Sequence, residues 1–268
     1  MNTRSVTTLC FRPFELEQAL DGAARAGFEN VELCAVKGWL EHVDPDDASP
    51  QAVRRVERAL ADSGLRATSL AGHSEAATPE GLDRHLRLVR VCAELGIPYL
   101  NSFPGKDPRL PQERSALVAN ARRIGDEAAA LGLTFCFEND GKAAVTGREV
   151  ANLLAEIGHD HVGMNYDPAN AVYFGGADTF SDLADALPWT RHFHVKDQAG
   201  GQDVANFPPL GEGELDVPGI LAAVEQSGYA GPMCLEIEFD GTWPDFDGCV
   251  AAARRSREYW EAVGPAAS

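Results

Sequence analysis

Four apolar runs in the second half of the chain end in side chains that can hold a cation or move a proton. Residues 133–138, 161–166, 191–195 and 232–239 read as strands, in which neighbouring side chains point to opposite faces, an alternation carried on into the residues that follow them. Thr134, Cys136 and Glu138 then share one face, opposite Leu133, Phe135 and Phe137. By the same parity Gly163, Asn165 and Asp167 point inward, as do His192, His194 and Lys196, and Cys234, Glu236 and Glu238. A lone carboxylate at a strand end usually caps a helix or pairs with a loop cation. Three carboxylates and an imidazole gathered in one mouth would repel one another and titrate abnormally, and a divalent metal is the simplest neutraliser. Oxygen donors with one nitrogen suit manganese first, with cobalt, magnesium or zinc as alternatives, and leave room for substrate oxygens. Alternation alone ranks His192 equal to His194, and Glu236 equal to Glu238.

The elements that must bring these ends together recur along the whole chain. Strand-like runs at 6–11, 29–35, 66–71 and 98–103 are each followed by a helical pattern, the third and fourth at 79–95 and 111–131. The four runs above continue with helices at 147–157, 179–187, 217–227 and 246–262. Prolines open several of these helices and glycines close them. Eight strand-then-helix units predict an α/β fold, a (β/α)8 TIM barrel in one domain over residues 1–264, with residues 265–268 as a C-terminal tail. An open doubly wound sheet is the rival, disfavoured by the lack of a glycine-rich first turn. In a barrel the site lies where the strands end.

Composition excludes several function classes. With 41 acidic against 23 basic residues the net charge is -18, which repels a phosphate backbone, so nucleic acid is not an expected partner. The six cysteines show no C-x-x-C spacing and read as small buried thiols of a reducing compartment. No apolar signal region follows the first residues, and no run reaches the roughly 18 apolar residues of a membrane span. A cytoplasmic protein without a membrane partner is expected.

The motifs Phe137-Glu138-Asn139, Asp167-Pro168-Ala169-Asn170, His194-Val195-Lys196-Asp197, Gly211-Glu212-Gly213-Glu214-Leu215-Asp216 and Leu235-Glu236-Ile237-Glu238 together resemble the xylose-isomerase-like TIM barrels, the sugar phosphate isomerase/epimerase group. The resemblance covers nearly the whole chain. It implies that Glu138, Asp167, His194 and Glu236 hold one divalent metal, selecting Glu236 over Glu238. The superfamily also contains endonuclease four, a DNA-repair enzyme with three zinc ions. This chain departs from it: Asn170 stands where a histidine is expected, and Ala205 and Phe207 where an Asp-x-His pair is expected.

What the resemblance implies for activity is a metal-dependent isomerase or epimerase of a sugar, sugar acid, polyol or sugar phosphate. Glu138 and Glu236 are its catalytic pair: one removes a proton beside a carbonyl and the other returns one, through an enediolate. A lyase on the same site, an inosose or dehydroshikimate dehydratase or a C-glycoside-cleaving subunit, starts with the same step. A non-catalytic sugar-binding subunit is a third class. His73, Asn170, Lys196 and Arg12 are assigned to substrate binding. The only lysines, Lys37, Lys106, Lys142 and Lys196, all follow strands, as Arg12 does, so an anionic carbohydrate is a candidate substrate. Trp39, Phe103 and Trp243 are candidate pocket walls, and a homo-oligomer stays open because barrel enzymes often pair.

Overall fold

A computed structural model describes residues 2–105 and 111–264; Lys106 and the tail at 265–268 lie outside the described residues. The strands are β1 (Arg4–Thr7), β2 (Asn30–Val36), β3 (Leu40–Glu41), β4 (Arg66–Ala71), β5 (Tyr99–Ser102), β6 (Thr134–Glu138), β7 (Val162–Tyr166), β8 (Thr190–Val195) and β9 (Met233–Leu235). All pair in parallel except β3, which folds back antiparallel on β2. β1 pairs with both β2 and β9, so the eight parallel strands close into a barrel and the open-sheet rival is ruled out. The helices are α1 (Leu16–Arg25), α2 (Pro50–Ser63), α3 (Pro79–Leu95), α4 (Pro111–Ala130), α5 (Gly147–Ile157), α6 (Pro168–Gly175), α7 (Thr179–Ala186), α8 (Val217–Gln226) and α9 (Phe246–Val263).

The parity read from the sequence sorts the barrel. Leu33, Leu70, Leu100, Phe135, Phe137, Phe193 and Leu235 are buried in one apolar cluster with the helix faces. Each such side chain contributes about 2–3 kcal/mol relative to staying exposed. Inside the barrel a polar layer takes the opposite faces: His192 hydrogen-bonds Asn165 Oδ1 at 2.8 Å and Ser69 Oγ at 3.0 Å. All six cysteines are buried and unpaired, as their spacing suggested. Among the described residues no helix is long and apolar enough to cross a membrane.

Several elements depart from expectation, among them the short β3. The first strand stops at Thr7 rather than running to Phe11, because the Thr7 hydroxyl caps a 3-10 turn, Thr8–Phe11, by accepting from Leu9 N. The last strand ends at Leu235: Glu236 N still donates to Val195 O at 3.1 Å, after which the chain leaves the sheet. Phe239 adopts a left-handed φ of 56° and pairs antiparallel with Phe207 in the preceding loop. The short α6 was not anticipated, although Asp167-Pro168 is a plain helix start, with the aspartate as N-cap and the proline at the first helical position.

Candidate metal centre

Glu138 ends β6, Asp167 follows β7, His194 is the penultimate residue of β8 and Glu236 follows β9, so parallel closure delivers all four to one end of the barrel. All four are buried, with ligand atoms within 4.8 Å of one another. His194 Nδ1 lies 3.2 Å from Glu138 Oε1, 2.8 Å from Glu236 Oε2 and 3.9 Å from Asp167 Oδ2. Asp167 serves two ends: Oδ1 accepts from Ala169 N and Asn170 N and caps α6, while Oδ2 is buried without a hydrogen-bond partner. A buried carboxylate oxygen with no donor is costly unless a cation faces it. Lys196 Nζ stands 3.6 Å from that oxygen, too far to donate a hydrogen bond, so Asp167 Oδ2, beside two more carboxylates and an imidazole nitrogen, keeps a lone pair that fits a divalent metal.

Neighbouring residues fix these donors. Asn139 clamps the Asp167 backbone at two points, its Oδ1 accepting from Asp167 N at 2.8 Å and its Nδ2 donating to Asp167 O at 2.7 Å. Glu32, on β2, is wholly buried behind the imidazole, its Oε1 2.9 Å from His194 Nε2 and its Oε2 accepting from Asn101 Nδ2 at 2.6 Å. A proton on Nε2 is thereby held by Glu32, which leaves the Nδ1 lone pair for a metal. Glu32, His192 and His194 are close enough to form a second candidate metal-ligand set, but both His192 nitrogens are already hydrogen-bonded inside the barrel. Sequence reasoning missed Glu32; the parity rule applied to the later strands would have selected it, since Val31, Leu33 and Ala35 take the outer face of β2.

Electrostatics separate the carboxylates. Burial alone would raise Glu138, but His194 and His73 hold its carboxyl down at about 2. Glu236 is likewise lowered against the burial penalty by Lys196 and His194. Burial, with the charges of Glu236 and Glu138, pushes Asp167 up to about 7 despite Lys196. Burial opposes protonation of His194, yet Glu138, Glu236 and Glu32 raise it well above the ordinary imidazole range.

Glu138, His194 and Glu236 line a cavity of about 750 Å³, and Asp167 lies buried behind that lining. His73 lines it, 3.3 Å from Glu138 Oε2 and 3.7 Å from Asp140 Oδ2. Asn170 also lines it and joins Glu138 to Lys196, donating to Glu138 Oε1 at 2.9 Å and accepting from Lys196 Nζ at 3.2 Å. Lys196 is 1% exposed and sits behind the lining, bound to Glu236 and Glu238 and 4.2 Å from the centroid of the Phe207 ring. Arg12 does not line the cavity: its guanidinium lies between the Trp39 and Trp243 rings, at 4.6 and 5.1 Å from their centroids. Of the loop lysines, Lys37 reaches the lining, Lys142 is exposed outside it and Lys196 is committed to carboxylates, so they do not form one set. Trp39 and Phe103 are walls; Trp243 is not, and donates from Nε1 to Leu9 O instead.

The Gly-Glu-Gly-Glu loop has its own explanation. Asp197 accepts from Gly211 N, Gly213 N, Leu215 N and Gln198 N, at 2.9 to 3.2 Å. A Cβ on Gly213 would stand 2.2 Å from Asp197 Oδ1, so only glycine permits this approach. The amides that might have cradled a phosphate are taken by a carboxylate of the chain itself.

A closed parallel barrel carrying this strand-end cluster belongs to a recognised class. The family model of xylose isomerase-like TIM barrels matches residues 20–261, and the chain is a member of that family. A 3-dehydroshikimate dehydratase of Pseudomonas putida is 27% identical over 264 residues, covering 89% of this chain and 38% of the relative, so the chain spans about two fifths of that protein's length. An L-ribulose 3-epimerase of Methylomonas sp. is 26% identical over 234 residues, 82% of this chain and 77% of the relative. Among solved structures, a xylose isomerase-like TIM barrel protein from Mycobacterium smegmatis in complex with magnesium shares the fold with a TM-score of 0.77 at 17% identity, over 98% of each chain.

Proposed function

We propose that this protein is a divalent-metal-dependent enzyme that removes a proton from the carbon beside a carbonyl in a carbohydrate-like hydroxy-ketone and returns one, as an epimerase or isomerase. The observation that carries the reading is the placement of two carboxylates, Glu138 Oε1 and Glu236 Oε2, at 3.2 and 2.8 Å from the same imidazole nitrogen. Glu138, Asp167, His194 and Glu236 hold the metal, with manganese the first choice for this donor set. When bound, the metal polarises the carbonyl and lowers the acidity barrier of the adjacent C–H bond. One of Glu138 and Glu236 takes the proton and the other gives one back. Asn170 keeps Glu138 oriented, Lys196 holds Glu236, and the walls of Trp39, Phe103 and Phe207 keep water from the exposed carbanion.

A dehydratase is the second reading, supported by the likeness to a 3-dehydroshikimate dehydratase and by His73. That imidazole lines the cavity beside Glu138, where it can protonate a departing hydroxyl. With Mn2+ in heavy water, L-ribulose, an inosose and 3-dehydroshikimate separate the two. Deuterium at the carbon beside the carbonyl without an absorbing product marks an epimerase, and an absorbing conjugated product marks a dehydratase. Retention of full exchange by both Glu138→Gln and Glu236→Gln, each still holding metal, would refute the proton roles.

A further inference from the structure

The cavity's lysine and arginine side chains gather on one wall. Lys37, after β2, and Arg84, in the second turn of α3, both line the cavity of a chain whose net charge is -18. Asp46 stands behind them, outside the lining: Arg84 Nε is 2.9 Å from Asp46 Oδ1, Arg87 Nη1 is 3.1 Å from the same oxygen, and Lys37 Nζ pairs with Asp46 Oδ2. One carboxylate thus answers three cations, with Arg87 also paired to Asp83.

Arg84 is anchored from a second side. Its Nη1 donates to the buried Ser74 Oγ at 2.8 Å, and its side chain is 18% exposed. The loop carrying Ser74 is pressed onto α3, because a Cβ on Gly81 would lie 1.9 Å from Glu75 O. Nη2 has no hydrogen-bond partner among the described residues, so a fixed guanidinium edge remains available beside the cavity. Ser74 follows His73, whose imidazole is 3.3 Å from Glu138, so this wall begins one residue from the metal centre. Asp46 and Asp83 offset two of the three cationic charges, so this wall suits a single carboxylate better than a doubly charged phosphate.

We propose that Arg84, Lys37 and Ser74 form an anion subsite, and that the substrate of this chain is a hydroxy-ketone bearing a carboxylate. The inference rests on the cavity being the site of a hydroxy-ketone enzyme. A fixed guanidinium with a nearby ammonium matches a carboxylate, whereas a neutral sugar gains little from either charge.

Shikimate and myo-inositol test it, since both are polyhydroxylated six-carbon rings, only shikimate has a carboxylate, and neither has the ketone that the reaction requires. Calorimetric titration of the Mn2+-loaded full chain is expected to give shikimate about tenfold tighter binding than myo-inositol, an advantage that shrinks with salt. Arg84→Met removes the advantage, Lys37→Met reduces it, and Arg84→Lys keeps part of it, with myo-inositol affinity unchanged throughout. Equal affinities in the parent protein, or a shikimate advantage that survives Arg84→Met with Lys37→Met, overturn the subsite, the latter because the metal would then be holding the carboxylate. If Arg84→Met fails to fold, Lys37→Met and the salt dependence decide by the same criteria. Neither ligand reacts, so a failure here leaves the deuterium-exchange test standing, and a failure there leaves this result intact.

Discussion

His194 and Glu32 form the pair on which the metal reading depends at the scale of single residues. An imidazole with four carboxylates within 4 Å has two nitrogens to offer, and Glu32 at 2.9 Å from Nε2 decides which one would face a metal. Glu32→Gln keeps the shape but weakens the acceptor. It is expected to lower Mn2+ affinity about tenfold to a hundredfold with little change in folding, as measured by calorimetric titration and circular dichroism. Unchanged affinity would remove Glu32 from the role. The proposed ligand residues stood out in the sequence because they end alternating strands; Arg84 did not, because it lies on a helix and is held at the cavity wall by contacts to Asp46 and Ser74.

The loop from Gly211 to Asp216 shows how an element is specified by a partner in another part of the chain. Asp197 collects amides from both sides of the loop, and Asp216 then caps α8 by accepting from Gly219 N at 3.0 Å. Asp197→Ala leaves these partly buried amides without their acceptor. It should cost about 3 kcal/mol or more, read as a lower urea midpoint at constant slope. An unchanged midpoint would mean the loop holds itself. At the same scale, alternation marked Glu236 and Glu238 alike. The chain leaves the sheet after Leu235, which puts Glu236 beside His194 and turns Glu238 onto Lys196.

Across the whole molecule, the acidic centre ties stability to pH. Asp167 is raised from 3.8 to about 7 and Glu238 from 4.5 to about 8, in both cases chiefly by burial. A raised carboxyl stabilises the fold below its unfolded value and loses that contribution as pH rises through its folded value. Glu138, lowered to about 2 by His194 and His73 against burial, acts in the opposite sense, its contribution vanishing only as pH falls toward 2. Buried His192 and His85, lowered to about 4 and about 3, favour the fold as pH rises toward 6.5 and add nothing further above it. The chelated protein should therefore melt at a lower temperature at pH 8 than at pH 6.5, and Mn2+ should raise the melting temperature most at pH 8, where protons no longer compete for Asp167. Calorimetry with and without chelator checks this; a chelated protein equally stable at both pH values would contradict it.

Eight strand-helix units, the inward parity of Glu138, Asp167, His194 and Glu236, and the negative charge were all set by local pattern, since alternation and helix punctuation act over a few residues. Tertiary structure alone decided which groups stand behind those ends. Closure of β1 onto β9 brings Glu32 to His194 across 162 positions, Arg12 is drawn between two tryptophans, and Lys196 is buried against carboxylates. Each of these depends on the barrel joining residues far apart in the chain, and the periodicity of one segment carries no record of its partner.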